Sequence, residues 1–208
     1  MAEESYLQKL KDAIQIGSIP VKTRMAVTWF RSIVERAKIA LQKENVFQTV
    51  VTEAATAGTL TGRLIPRRMY FFMYNPKHKA PLPYYDLFPL VLPIQKFSDG
   101  FLGINFHYLY PKDRAILLDE LKIFVNDRTL SEAARIRVSY NMMRGFTRFK
   151  RAKPCLKRYL TTYMKSQFIP VTPDEWGPAL FLPVEQFRKR NKMAVWQESK
   201  EIYSAIRQ

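Results

Sequence analysis

Phe101-Leu-Gly-Ile-Asn-Phe-His-Tyr-Leu-Tyr110 is the stretch that decides the fold. Leu102, Ile104, Phe106, Tyr108 and Tyr110 alternate with Gly103, Asn105, His107 and Leu109, the period of two expected of a strand with one buried and one more polar face. Ser98-Asp99-Gly100 supplies a turn just before it. Upstream, Tyr84 to Ile94 is a second extended run, which Pro83, Pro89 and Pro93 confine to a sheet edge or an irregular strand. Further upstream, Arg68-Met-Tyr-Phe-Phe-Met-Tyr74 is aromatic throughout and stops at the Asn75-Pro76 turn signal. Three strands closed by short turns predict a small antiparallel sheet or barrel-like centre over residues 63–110.

Outside that centre the period becomes helical. Residues 3–16 carry Tyr6, Leu7, Leu10 and Ile14 on one face, and Thr23 to about Glu44 place Val27, Phe30, Ile33, Val34, Ala37, Ala40 and Leu41 opposite a charged face. Residues 1–45 thus read as an N-terminal helical segment, and the Thr-rich stretch 46–62, with Gly58 and Gly62, as a connector. After Pro111, Asp113 can cap a helix bearing Leu117, Leu121, Phe124 and Val125. Thr129-Leu-Ser-Glu132 has capping-box spacing for a further helix up to about Gly145, and Pro154 stands at a first helical position before Leu156, Tyr159, Leu160, Tyr163 and Met164. Residues 111–208 read as a basic helical region interrupted by a short extended segment near 179–184. The expected class is α+β, with amphipathic helices at both ends of the β centre.

Nearly half of the 208 residues are apolar, enough to build a core, yet 34 Lys and Arg stand against 18 Asp and Glu, a net charge of +16. Such an excess exceeds what solubility asks for and points to a polyanionic or acidic partner. One cysteine, Cys155, excludes an internal disulfide framework. With only His78 and His107 beside it, a structural zinc site would need carboxylates, and no metal or cofactor is expected. The acidic start of the chain and the lack of a run near ~20 apolar residues argue against secretion and membrane spanning.

The charge is unevenly placed. Ala133 to Pro173 holds ten Lys and Arg and no acid, interleaved with Tyr140, Phe146, Phe149, Tyr159 and Tyr163. Cations for phosphates and aromatics for stacking suit a nucleic acid; the plainer reading is a solvated face or a dock for an acidic subunit. The densest part supplies the candidate binding residues Arg144, Arg148, Lys150, Arg151, Lys153, Lys157 and Arg158. Arg63, Arg67, Arg68, Lys77 and Lys79 form a second acid-free stretch and Arg188-Lys-Arg-Asn-Lys192 a third cluster. Sequence alone leaves open whether these share a face.

His107 beside Asn105 could serve as a general base given Asp86 or Asp99, but a histidine on a half-buried strand is more often simply hydrogen-bonded. His78, between two lysines in a turn, reads as exposed, and Cys155 as a small core residue despite its cationic neighbours. No P-loop, Rossmann glycine fingerprint, HExxH or paired CxxC is present, and the basic stretch lacks the acids of a metal nuclease. The expectation is a protein that holds a polyanion without cutting it, and no catalytic residue is assigned.

Three segments carry a family likeness: MYFFMYNPKHKAPLPYYDLFPLVLPI (69–94), DGFLGINFHYLYPKDRAILLDEL (99–121) and WGPALFLPVEQFRKRNKMAVWQESK (176–200). Together they resemble a family of virion proteins from T-even-like contractile-tailed phages, including cyanophages. The resemblance implies a non-enzymatic structural subunit of the tail, baseplate or neck, in a multi-subunit assembly with other virion proteins. Its alternative is a protein that guards packaged double-stranded DNA ends. Localisation would be the virion after synthesis in the host cytoplasm, with no membrane contact. Tyr84, Tyr85, Phe88 and Phe101 would then be core or interface anchors.

Overall fold

A computed structural model describes residues 68–125, 149–171, 176–182 and 184–206. The helices expected over 1–45, the connector 46–62 and the capping box at Thr129 lie outside the described residues.

Strands β1 (Met69–Phe71), β3 (Leu90–Phe97), β4 (Gly100–Asn105), β5 (Leu156–Leu160) and β6 (Ile169–Val171) form one antiparallel sheet in the order β5-β4-β3-β1-β6. The fold is α+β, and the sheet is open at β5 and β6, so it is not a closed barrel. A second, two-stranded sheet pairs β2 (Tyr85–Asp86) with β7 (Phe187–Arg188), Tyr85 opposite Arg188 and Asp86 opposite Phe187. Helices α1 (Pro111–Val125), α2 (Trp176–Phe181) and α3 (Lys192–Ser204) complete the described architecture.

The β3–β4 hairpin turns at Ser98 and Asp99, with Phe97 opposite Gly100 and Val91 opposite Asn105. Contrary to an edge placement, β3 lies inside the sheet between β4 and β1. It is irregular as expected: the register shifts between Pro93 and Gln95, where a bulge accommodates a residue with no N–H to give the ladder. The third strand is shorter than its alternation predicts. Asn105 ends it by accepting a hydrogen bond from His107 N at 3.0 Å, which starts a 3-10 turn over Phe106–Tyr108. Leaving the sheet there puts both expected faces inside, and Asn105 and His107 are fully buried.

Two further expectations are corrected. Pro154 does not open a helix; it lies within a 3-10 turn, Lys150–Cys155, and Leu156 to Leu160 then pair along β4 from Ile104 to Gly100. Glycine permits this approach, because a Cβ at Gly100 would sit 1.9 Å from the Tyr159 carbonyl oxygen. Tyr159 is the one fully buried side chain of β5, stacking on Phe101 at 5.3 Å, so a strand satisfies the same apolar spacing. Residues 179–184, expected to be extended, instead begin inside α2. Trp176 anchors this helix by donating from Nε1 to the Val171 carbonyl at 3.2 Å while Ala179 and Leu180 are fully buried. Pro170 sits opposite Tyr70 on edge strand β6, where a residue without an N–H is tolerated.

Alternation along β1 divides the core. Met69 and Phe71 join Leu90, Leu92 and Ile104 beneath α1, α2 and α3, which contribute Leu118, Leu180 and Val195. Tyr70 and Phe72 point the other way, into a cluster with Val91, Phe101, Tyr159 and Phe168. Phe72 meets Tyr159 at 5.2 Å and Phe168 at 5.3 Å, both edge-on, a geometry that adds about 0.5–1.5 kcal/mol per pair beyond burial.

Candidate nucleic-acid interface

Arg144 and Arg148 lie outside the described residues. Of the remaining candidate cations, Lys150, Arg151 and Lys153 stand on the 3-10 turn before β5, and Lys157 and Arg158 on β5 itself. The stretch is acid-free in sequence, but the fold brings acids to it. Arg151 donates from Nε to Asp113 and from Nη1 to Glu120, each at 3.2 Å, with its guanidinium 5.6 Å above the Tyr203 ring. Tyr203 completes the arrangement by donating to Asp113 at 3.0 Å. Burial raises the pKa of Glu120 despite the opposing pull of Arg151. Arg158 pairs with Asp99, donates to its neighbour's carbonyl at Tyr159 (3.0 Å) and lies 4.1 Å over Phe97. Both arginines therefore already hold protein partners.

The three lysines differ. Lys157 is half-buried with its ammonium 4.1 Å from the Tyr108 ring, and desolvation lowers its pKa. Lys153 is exposed, Lys150 is half-buried, and neither makes an ion pair among the described residues. Cys155 is buried, its thiol pushed up to about 12 by burial, so the cationic neighbours do not make it a nucleophile.

The aromatic candidates are mostly internal. Phe101 is buried in the second cluster, and Phe88 stacks on Phe71 at 5.1 Å. Tyr84 is buried and donates to Glu198 at 3.0 Å, while Tyr85 is half-buried on β2.

A buried polar network lies beneath, and it joins His107 and Asn105 to Asp86, one of the two carboxylates that the sequence offered them. Asp86 Oδ2 receives His107 Nδ1 at 2.7 Å and Asn105 Nδ2 at 3.2 Å, and its Oδ1 accepts from Phe88 N (3.1 Å) and Gln186 N (3.2 Å). His107 is thus a hydrogen-bonded structural residue linking the end of β4 to the β2–β7 pair. Next to it, fully buried Arg114 donates to the carbonyls of Leu109 (2.8 Å) and Leu180 (2.9 Å) and pairs with the buried Glu185 carboxylate. Desolvation pushes the pKa of Glu185 up, but Arg114 prevails and holds it below its ordinary value. Arg114 stands among Lys112, Asp113 and Asp119 in sequence, so nothing distinguishes it from a surface charge.

The second and third basic clusters meet in space. Lys189, at the end of β7, donates from Nζ to the carbonyls of Lys79, Ala80 (3.0 Å) and Leu82 (2.9 Å). This joins the Lys77–Pro83 loop to Arg188–Lys192. In the latter, Arg190 pairs with Glu198 and Lys192 lies 3.5 Å from Glu185. Lys77, His78, Lys79 and Arg188 are exposed. Among the described residues no cluster of three His, Cys, Asp or Glu could hold a metal ion, and no helix is long and apolar enough to cross a membrane.

No curated protein and no solved structure matches the chain. The family model described as phage T4 terminal DNA protecting protein does, over residues 4–205. The phage likeness read in the three quoted segments thus extends over almost the whole sequence, and the chain belongs to the phage T4 terminal DNA protecting protein family.

Proposed function

We propose that this protein binds the ends of double-stranded DNA and shields them, without enzymatic activity, as part of a phage particle. The observation that carries the reading is the +16 net charge on a chain of a DNA-protecting family. Phosphate neutralisation supplies sequence-independent affinity, which suits a task performed on any DNA end. The described surface agrees in kind: its exposed large apolar side chains are Phe97 and Met193, a meagre basis for a hydrophobic subunit interface. The acids that approach the basic stretch, Asp99, Asp113 and Glu120, are each engaged by an arginine, which favours holding DNA over cutting it.

The test compares linear duplex DNA with a covalently closed circle of the same sequence. The protein should slow exonuclease digestion of the linear form, and its affinity should fall steeply as salt rises. Digestion at an unchanged rate, or salt-insensitive binding, overturns the reading, and cleavage of DNA by the protein itself overturns its non-enzymatic part. A station in the tail, baseplate or neck is the competing assignment. It predicts incorporation into particles through protein contacts with no DNA binding.

A further inference from the structure

Lys189 is the described non-glycine residue with positive φ, at 69°. A lysine rarely occupies this left-handed region, and it costs about 1–2 kcal/mol. Here the conformation turns the side chain back across the Lys77–Pro83 loop, where one ammonium satisfies three carbonyl oxygens. Pro81 and Pro83 restrict the same loop, so the clamp acts on backbone with few alternative conformations. The result is a fixed edge next to the β2–β7 pair on which Lys77, Lys79 and Arg188 are exposed and form no ion pair among the described residues. The nearby acids are otherwise engaged: Glu198 with Arg190 and Tyr84, Glu185 with Arg114 and Lys192, and Asp86 in the buried network.

This differs from the basic stretch before and along β5, whose described arginines are neutralised by acids of the same chain. A cationic face whose charge remains available, on a backbone already ordered, matches a polyanion that presents charges at regular spacing. We propose that Lys77, Lys79 and Arg188, set by the Lys189 clamp, contact the sugar-phosphate backbone of duplex DNA near its end. This rests on the DNA-binding reading above and adds to it the contact surface.

The test is the full chain carrying Lys77→Gln, Lys79→Gln and Arg188→Gln, titrated against a blunt-ended duplex over a series of salt concentrations. A charge-matched control carries Lys96→Gln, Lys112→Gln and Lys165→Gln, exposed cations on other elements. At about 0.9 per phosphate contact, the slope of log affinity against log salt should become shallower by about 2.7 in the first variant and stay near the parent value in the control. The single change Arg188→Gln should remove about 0.9, which keeps the test open if the triple variant folds poorly. Equal slopes for the triple variant and its control, with the parent still binding steeply, overturn the face while leaving the DNA reading intact. A parent protein that fails to bind the duplex overturns both.

Discussion

Replacing Arg114 with methionine tests whether one buried guanidinium holds the helical layer to the sheet. Its side chain reaches the carbonyls of Leu109, before α1, and Leu180, in α2, and the carboxylate of Glu185, before β7. The guanidinium also lies 5.3 Å over Trp196 of α3, whose indole N–H donates to the His107 carbonyl at 2.7 Å. Arg114→Met keeps the aliphatic volume but removes the charge, leaving Glu185 buried with only Lys192 at 3.5 Å. Breaking a buried pair from one side costs about 3–5 kcal/mol. For a domain of this size, where each kcal/mol moves the midpoint by about 2–4 °C, the thermal transition should fall by about 6–20 °C.

The pH dependence gives an independent check on the same variant. In the parent, the Glu185 pKa is below its ordinary 4.5, so its contribution is fully present above that value and is lost as pH falls through the lowered one. Without Arg114 the strongest influence holding the pKa down is gone, and burial, which raises it, is opposed only by His107, a backbone hydrogen bond and Lys192, so protonation relieves the variant. Its deficit should narrow as pH falls from 7 towards 4. Calorimetry or circular dichroism across that range measures both quantities. A fall of less than about 2 °C at pH 7, or a deficit independent of pH, would refute the assignment of this pair as the tie between layers.

Two other outcomes follow from packing. Cys155, fully buried with its thiol at about 12, should resist alkylation at pH 8 in the folded protein and react rapidly in denaturant; comparable rates in the two states would contradict the burial. Gly100→Ala forces a Cβ to within 1.9 Å of the Tyr159 carbonyl oxygen, so it should lower stability in urea titration by at least the roughly 1–3 kcal/mol of an overpacked site, and parent-like stability would mean that β5 can move away freely.

How much of this was legible in the sequence depended on whether burial is one-sided. The Phe101–Asn105 alternation and the turn at Ser98-Asp99 marked β4 and its hairpin because Phe101 and Ile104 meet different environments on the two faces. The same signal overran into Phe106–Tyr108, since alternation cannot register an Asn105 side chain that turns the backbone out of the sheet. Leu156–Leu160 looked helical because its spacing fits either period, and the deciding contact, the Gly100 flank, lies more than fifty residues away in the chain. Pro93 warned of irregularity but not of position, because a bulge lets proline occupy an interior strand.

The candidate site was legible as charge and illegible as pairing. Arg151 and Arg158 stand in an acid-free stretch, yet their partners arrive from α1 and from the β3–β4 turn. Conversely, Lys77–Lys79 and Arg188–Lys192 are about 110 residues apart in sequence and become neighbours through Lys189, a conformation that no local pattern signals.

The strand order also bears on how the molecule is made. β1, β3 and β4 are synthesised by residue 105, but the strands that flank them, β5 and β6, are complete only at residue 171. At roughly 5–20 residues per second, a ribosome needs about 3–13 s to add the intervening sixty-six residues. Until β5 is complete at residue 160 a nascent aromatic sheet would have both edges unpaired, and its β1 edge stays open until β6 follows, an invitation to chaperones and to neighbouring nascent chains alike. Yield during infection should therefore respond to elongation rate and to chaperone supply more than the stability of the finished fold would suggest.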